Sequence, residues 1–108
     1  MQRQVREVHV AETLNRYVLA VAELSRRHDA LALGVSTRGA LAWHRSAQAL
    51  ALVRGRNFVT ADDLHEVAEP VLAHRVLLAD PLVGDGWERS RRERAVIQML
   101  LDEVPVPR

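Results

Sequence analysis

The sequence contains no cysteine and no lysine. Without cysteine, the 108-residue chain can form no disulfide, no thiolate nucleophile and no Cys-based zinc site. All 15 basic residues are arginine. We interpret this bias mainly as the codon usage of a GC-rich genome, so a single arginine carries less information here than it usually does.

Long apolar runs and a large net charge are also missing. No apolar run approaches the roughly 20 residues that span a bilayer, and the N-terminus has no apolar signal region, so we expect a cytoplasmic protein. The net charge of +1 argues against strong attraction to nucleic acid or to an anionic membrane. With 48% hydrophobic and 27% charged residues, the composition is that of an ordinary globular domain with one core.

Apolar residues recur at helical spacing in the first half of the chain, which predicts two long helices over residues 8–27 and 36–54. Ser36 is the predicted N-cap of the second helix, and Gly55 suits the left-handed position that ends it. Trp43 is expected in the core. The stripe of the first helix consists of Val10, Leu14, Tyr17, Val18, Val21 and Leu24.

Two short segments are expected to have an extended backbone. Residues 31–35 are apolar, interrupted by a glycine and too short for a helix, and residues 56–59 are also short. We expect the two segments to pair as a minimal two-strand element between helix connections.

The second half predicts shorter helices. The capping box of residues 60–63 starts a third helix. Pro70 predicts a break or kink, followed by a short helix to about Leu78. Residues 79–86 read as a loop, and a second capping box at residues 90–93 opens or supports a last helix. Its expected buried residues are Val96, Ile97, Leu100 and Leu101. The predicted fold is therefore an all-α bundle of four to five helices.

Five short motifs, in order, resemble those of MoxR-type AAA+ ATPases. Residues 33–41 (LGVSTRGAL) are similar to the family's LGASPRA signature, and residues 55–60 (GRNFVT) to GR-x-[YF]-V-T. Residues 62–64 (DDL), 71–75 (VLAHR) and 104–107 (VPVP) continue the series. Thr37 and Ala61 stand where the family usually has proline. Each motif is weak alone, but together they cover nearly the whole chain.

The resemblance implies that residues 1–108 are a single helical lid domain belonging to a larger ATPase. In AAA+ proteins this domain lies against the nucleotide bound by an α/β core domain, and the arginine at the start of its second helix is the sensor-2 residue. That position falls on Arg38. Gly34, Ser36 and Thr37 are expected beside the nucleotide, since helix N-termini and arginine suit phosphate.

The resemblance also implies cofactors and partners. The parent protein would use ATP with Mg²⁺, and we expect neither to bind tightly to this domain alone. The implied partners are the AAA+ core domain, neighbouring subunits of a ring, expected to be a hexamer, and a von Willebrand A domain protein, with no nucleic acid or membrane. No Walker A loop can exist without lysine, and no Walker B strand is evident, so the domain alone is not expected to be an enzyme.

Other interpretations of the same residues remain open. Arg38 is otherwise a solvated first-turn arginine, and Arg75 compensates a helix dipole, forms an internal ion pair, or contacts the core or a neighbouring subunit. The arginines of residues 89–94 are interleaved with Glu88 and Glu93, which favours a solvated face over an acidic or nucleic-acid partner. The five histidines lack metal-ligand spacing, so no metal site is expected.

The sequence is also compatible with two rival functions. The first is a stand-alone interaction module that dimerises through the stripe of Leu14, Tyr17, Val18 and Val21. The second is a small DNA-binding protein that uses residues 36–54 as a recognition helix, but the near-neutral charge and the Ala-rich character of that helix argue against it.

Overall fold

The computed structural model describes residues 2–80, 84 and 86–107. Its helices are α1 (Gln2–Arg6), α2 (Glu12–Arg27), α3 (Thr37–Val53), α4 (Ala61–Leu72) and α5 (Gly86–Glu103), with a 3₁₀ turn at Ala73–Arg75. The strands β1 (Leu31–Leu33) and β2 (Leu77–Leu78) form a two-stranded antiparallel sheet. The predicted all-α bundle with a minimal strand pairing is confirmed.

Trp43 lies at the centre of the core, as expected. Its side chain is fully buried, and its indole Nε1 donates a 2.7 Å hydrogen bond to the carbonyl oxygen of Leu64. This bond joins the middle of α3 to the first turn of α4. Because a buried indole N–H needs a partner, the pairing satisfies the ring's only polar group.

The phenol of Tyr17 connects three helices. Its hydroxyl donates to the carbonyl oxygen of Leu101 on α5 at 3.2 Å and lies 2.9 Å from Nε2 of His65 on α4. Since that hydroxyl proton goes to Leu101, the His65 ring is the donor in the second bond. Burial, with a smaller effect from Asp102, raises the pKa of Tyr17 to about 12, so the phenol stays protonated.

The apolar stripe of α2 is the inner face of this core. Leu14, Tyr17, Val18 and Val21 are all buried. They are therefore not available for the dimerisation considered above.

The predicted start of the first long helix is wrong. Residue 8 does not begin it; α2 begins at Glu12 and is preceded by the short helix α1, which the sequence did not reveal. The backbone of His9 instead pairs with a neighbouring segment: its N–H donates to Asn57 at 2.8 Å, and its carbonyl accepts from Val59 at 2.9 Å. Backbone groups committed to this bridge cannot join a helical ladder.

The predicted strand pairing is also wrong in its partner. Strand β1 pairs with β2, with Leu31 opposite Leu78 and Leu33 opposite Leu77. Residues 31–33 are extended as predicted, whereas residues 56–59 contain a bend at Asn57, and Phe58 bridges to His9 instead. The long-range pairing differs from the prediction.

The predicted break at Pro70, with a separate helix to Leu78, is wrong. Helix α4 continues through Pro70 to Leu72, and the chain then turns and becomes extended at Leu77–Leu78. Pro70 is exposed, whereas Ala68 and Leu72 are fully buried. Burial of these neighbours offsets the single backbone hydrogen bond that proline removes near a helix end.

The last helix starts earlier than predicted. Helix α5 begins at Gly86, so Ser90 lies inside it, and the Ser90 hydroxyl accepts a 3.2 Å bond from Arg94 instead of capping the helix. The expected buried residues Val96, Ile97, Leu100 and Leu101 are confirmed. The predicted loop at 79–86 falls partly outside the described residues. No helix in the described part of the chain has both the length and the apolar character needed to cross a bilayer.

The capping box at the start of α4 is confirmed and contains a buried carboxylate. Asp63 accepts 2.7 Å bonds from both terminal nitrogens of Arg56 and a 2.8 Å bond from the backbone N–H of Thr60. Its side chain is fully buried. These bonds, chiefly that with Arg56, lower the pKa of Asp63 from its ordinary value of 3.8 to about 2.

Acidification should therefore remove part of the stability. A carboxyl with a lowered folded pKa stabilises the fold above its unfolded pKa, and this contribution is lost as the pH falls towards the folded pKa. We expect about 2 kcal/mol to be lost between pH 5 and pH 2 through Asp63. Urea unfolding of the wild type and of Asp63→Asn should show a stability difference that shrinks by this amount over that range. A difference independent of pH would contradict the assignment.

Candidate functional site at the start of helix α3

Ser36 caps α3 as predicted. Its extended backbone (φ −74°, ψ 167°) places the hydroxyl oxygen to accept a 3.0 Å bond from the backbone N–H of Gly39. Thr37 and Arg38 form the first turn, and both are exposed. Arg38 makes no hydrogen bond or ion pair with the described part of the chain, so its guanidinium is accessible.

Gly34 lies where the chain leaves β1 and passes against the end of α2. A Cβ atom at this position would lie 2.5 Å from the backbone carbonyl carbon and oxygen of Ser25 and 2.6 Å from the nitrogen of Arg26. Backbone atoms cannot yield to such a contact, so the loop requires glycine here. The predicted proximity of Gly34 to a nucleotide stays a prediction; the close approach that the structure gives it is to α2.

Two hydrogen bonds fix the residue between this glycine and the helix. The N–H of Val35 donates to the buried Ser25 hydroxyl at 2.8 Å, and Nε of Arg26 donates to the Val35 carbonyl at 3.0 Å. The last turn of α2 therefore sets the position of the first turn of α3.

A second arginine reaches this turn from a distant part of the sequence. Gly39 is buried, and a Cβ there would meet Val35 Cγ1 at 3.2 Å, Ser36 Oγ at 3.5 Å and Arg75 Cδ at 3.6 Å. The aliphatic part of Arg75 thus lies across the first turn of α3. From the sequence, Arg75 is identified only as part of the VLAHR motif. No local pattern predicts its contact with the first turn of α3.

Three arginines approach the first turn of α3 without an ion pair to the described residues. Arg26, Arg38 and Arg75 come from three different elements, all are exposed, and none forms an ion pair within residues 2–80, 84 and 86–107. The first turn of α3 contains no acidic residue. Arginine presents donors in a geometry that matches phosphate oxygens, and a helix N-terminus adds partial positive charge. The arrangement is suited to an anion.

The other sequence candidates lie elsewhere. The arginines of residues 89–94 are exposed on α5, where Arg92 lies 3.9 Å from Asp80, which agrees with a solvated face. Trp87 is 69% exposed, with the Arg91 guanidinium 5.3 Å from its ring centre. Among the residues that the structure describes, no three His, Asp or Glu side chains are grouped as metal ligands.

Comparisons with known proteins identify the family of the chain. The AAA lid domain family model matches residues 23–98. YeaC of Bacillus subtilis is 31% identical over 99% of this chain, and the chaperone MoxR1 of Mycobacterium tuberculosis is 33% identical over 91% of it. MoxR of Paracoccus denitrificans is 32% identical over 92% of the chain.

A solved structure has the same fold. A crystal structure from Cytophaga hutchinsonii, described as that of an ATPase, superposes with a TM-score of 0.80 over 98% of this chain, at 24% identity. The chain spans 34% of that structure and 32%, 27% and 32% of the three relatives. The match therefore corresponds to one domain of proteins about three times as long. The chain belongs to the AAA lid domain family, as a helical lid of the MoxR type.

Proposed function

We propose that this domain is the nucleotide-sensing lid of a MoxR-type ATPase, and that Arg38 is its sensor-2 arginine. The observation that carries the proposal is the exposed Arg38 guanidinium, unpaired within the described residues, at a capped helix start whose first turn contains no acidic residue. Ser36, Thr37 and Gly34 form the rest of the surface that faces the nucleotide. Mg²⁺ and most phosphate contacts belong to the α/β core domain.

In this mechanism the lid reports the state of the nucleotide. ATP held by the core presents its phosphates to the start of α3, where Arg38 supplies a fixed positive charge. Charge that develops during phosphoryl transfer is stabilised by such a guanidinium. Because α2 and α3 are joined through Val35, a movement of Arg38 towards the phosphates moves the bundle as a unit.

The larger function is remodelling of partner proteins. One relative is named a chaperone, and we propose the same class of activity for the ATPase that carries this lid. The partners are the core domain, neighbouring subunits of a ring and a client with a von Willebrand A domain.

The test is Arg38→Ala in the ATPase that joins this lid to its core. We expect kcat for ATP hydrolysis to fall roughly a hundredfold to a thousandfold, because one transition-state donor is lost. Arg45→Ala is the matched control, since it removes an exposed arginine from the same helix. The isolated Arg38→Ala domain should unfold at the wild-type temperature. Wild-type turnover in Arg38→Ala would remove the sensor-2 assignment.

A further inference from the structure

We infer that Arg75 is a second phosphate-binding arginine, contacting the same polyphosphate as Arg38. The inference rests on the proposed function and extends it to a residue 37 positions further along the chain. The sequence motif that contains Arg75 has no other role in the mechanism above.

The aliphatic part of Arg75 packs beside Gly39. Its Cδ lies 3.6 Å from the point where a Gly39 side chain would begin, which is an ordinary van der Waals distance. The guanidinium carbon is only two bonds beyond Cδ, which keeps the charge at the same end of α3. The preceding residues Leu72 and Ala73 are buried and anchor this turn to the core.

The charge of Arg75 has no internal explanation. An arginine that stabilises the fold through an ion pair would have a carboxylate beside it, and Arg75 forms no such pair within the described residues. It lies instead at the same helix end as two further arginines, Arg26 and Arg38. Positive charges at a helix N-terminus are disfavoured by the partial positive charge of the helix dipole there. An anion bound between the arginines offsets this unfavourable interaction.

The chemistry favours an extended anion with several negative oxygens. Arg26 already uses Nε for the Val35 carbonyl. Arg38 and Arg75 have their forks unengaged by the described chain, and approach from different elements, so they can contact different oxygens of one polyphosphate.

The test uses the 108-residue chain itself and inorganic tripolyphosphate as the probe. Arg75→Met keeps the aliphatic contact with Gly39 but removes the charge, and Arg75→Lys keeps a charge. Binding is followed by NMR through the Nε–H signals of the arginines and the amide of Gly39. Arg45→Ala controls for general charge attraction, and thermal unfolding shows that each variant is folded.

We expect wild-type binding on the order of 1 mM and a fivefold to tenfold loss in Arg75→Met, partly restored in Arg75→Lys. The inference is overturned when Arg75→Met binds like the wild type, or when Arg45→Ala loses as much affinity. If Arg38→Ala alone weakens binding, the inference about Arg75 fails while the proposed function stands. If neither variant weakens it, the proposed phosphate site at α3 fails as well.

Discussion

Replacing Trp43 with alanine is expected to lower the free energy of unfolding by about 3–5 kcal/mol, the usual cost of deleting a large buried aromatic side chain. Trp43 is fully buried, packs 6.3 Å from Tyr17 between ring centres, and donates the hydrogen bond that joins α3 to α4. Alanine would leave a cavity and remove that bond. Since small domains are stable by only about 5–15 kcal/mol, the variant should be close to unfolding.

The other tryptophan supplies the matched control. Trp87 is 69% exposed, so Trp87→Ala should change stability by less than about 1 kcal/mol through the lost contact with Arg91. Urea unfolding monitored by circular dichroism measures both variants. Equal losses in the two variants, or a loss below about 1 kcal/mol in Trp43→Ala, would contradict the packing described here.

Replacing Gly34 with alanine is expected to cost about 3 kcal/mol, at the upper end for overpacking, because the added Cβ meets rigid backbone. The contact at 2.5 Å is with the carbonyl group of Ser25 inside α2. Relief requires moving the loop, which breaks the buried Val35 to Ser25 hydrogen bond. The substitution should therefore both destabilise the fold and displace the start of α3.

Replacing two other glycines with alanine gives a series of variants with decreasing expected loss of stability. Gly55 has open space around it but a φ of +76°, so Gly55→Ala should cost about 1 kcal/mol from backbone strain alone. Gly86 has no close neighbour among the described residues and no positive φ, so Gly86→Ala should be close to neutral. Thermal unfolding should rank the variants 34, 55 and 86 in decreasing loss. A loss at Gly34 no greater than that at Gly55 would argue against the close approach.

Local patterns in the sequence predicted what depends on neighbours along the chain. The Ser36 cap, the Thr60 capping box and the stop at Gly55 are each decided within four or five residues, and all three are confirmed. The helical spacing of apolar residues likewise identified the core face of α2. These features could be predicted because only a few backbone conformations satisfy the hydrogen bonding and burial of residues so close together in the sequence.

Contacts between distant segments were not predictable in the same way. The sequence did not identify Leu77–Leu78 as the partner of β1, because both Leu77–Leu78 and residues 56–59 are short segments and the pairing is decided by distant contacts. The continuation of α4 through Pro70 depends on burial of Ala68 and Leu72 against other helices. At the candidate site, the sequence supplied Arg38, whereas the approach of Arg75 follows from the turn after α4. Tertiary packing decided each of these features.

Residues 8 and 9 are attached to the far half of α3. Gln48 donates a 2.9 Å hydrogen bond to the Val8 carbonyl, and His9 bridges to the connection after α3, so a rotation of the whole bundle about this attachment would have its centre near that half of the helix. Arg38 is ten residues away, or about 15 Å along the axis. A tilt of about 10° there would swing its guanidinium by roughly 2–3 Å. This displacement is about the length of a charge-assisted hydrogen bond, so a small rotation of the bundle is enough for Arg38 to bind or release an anion.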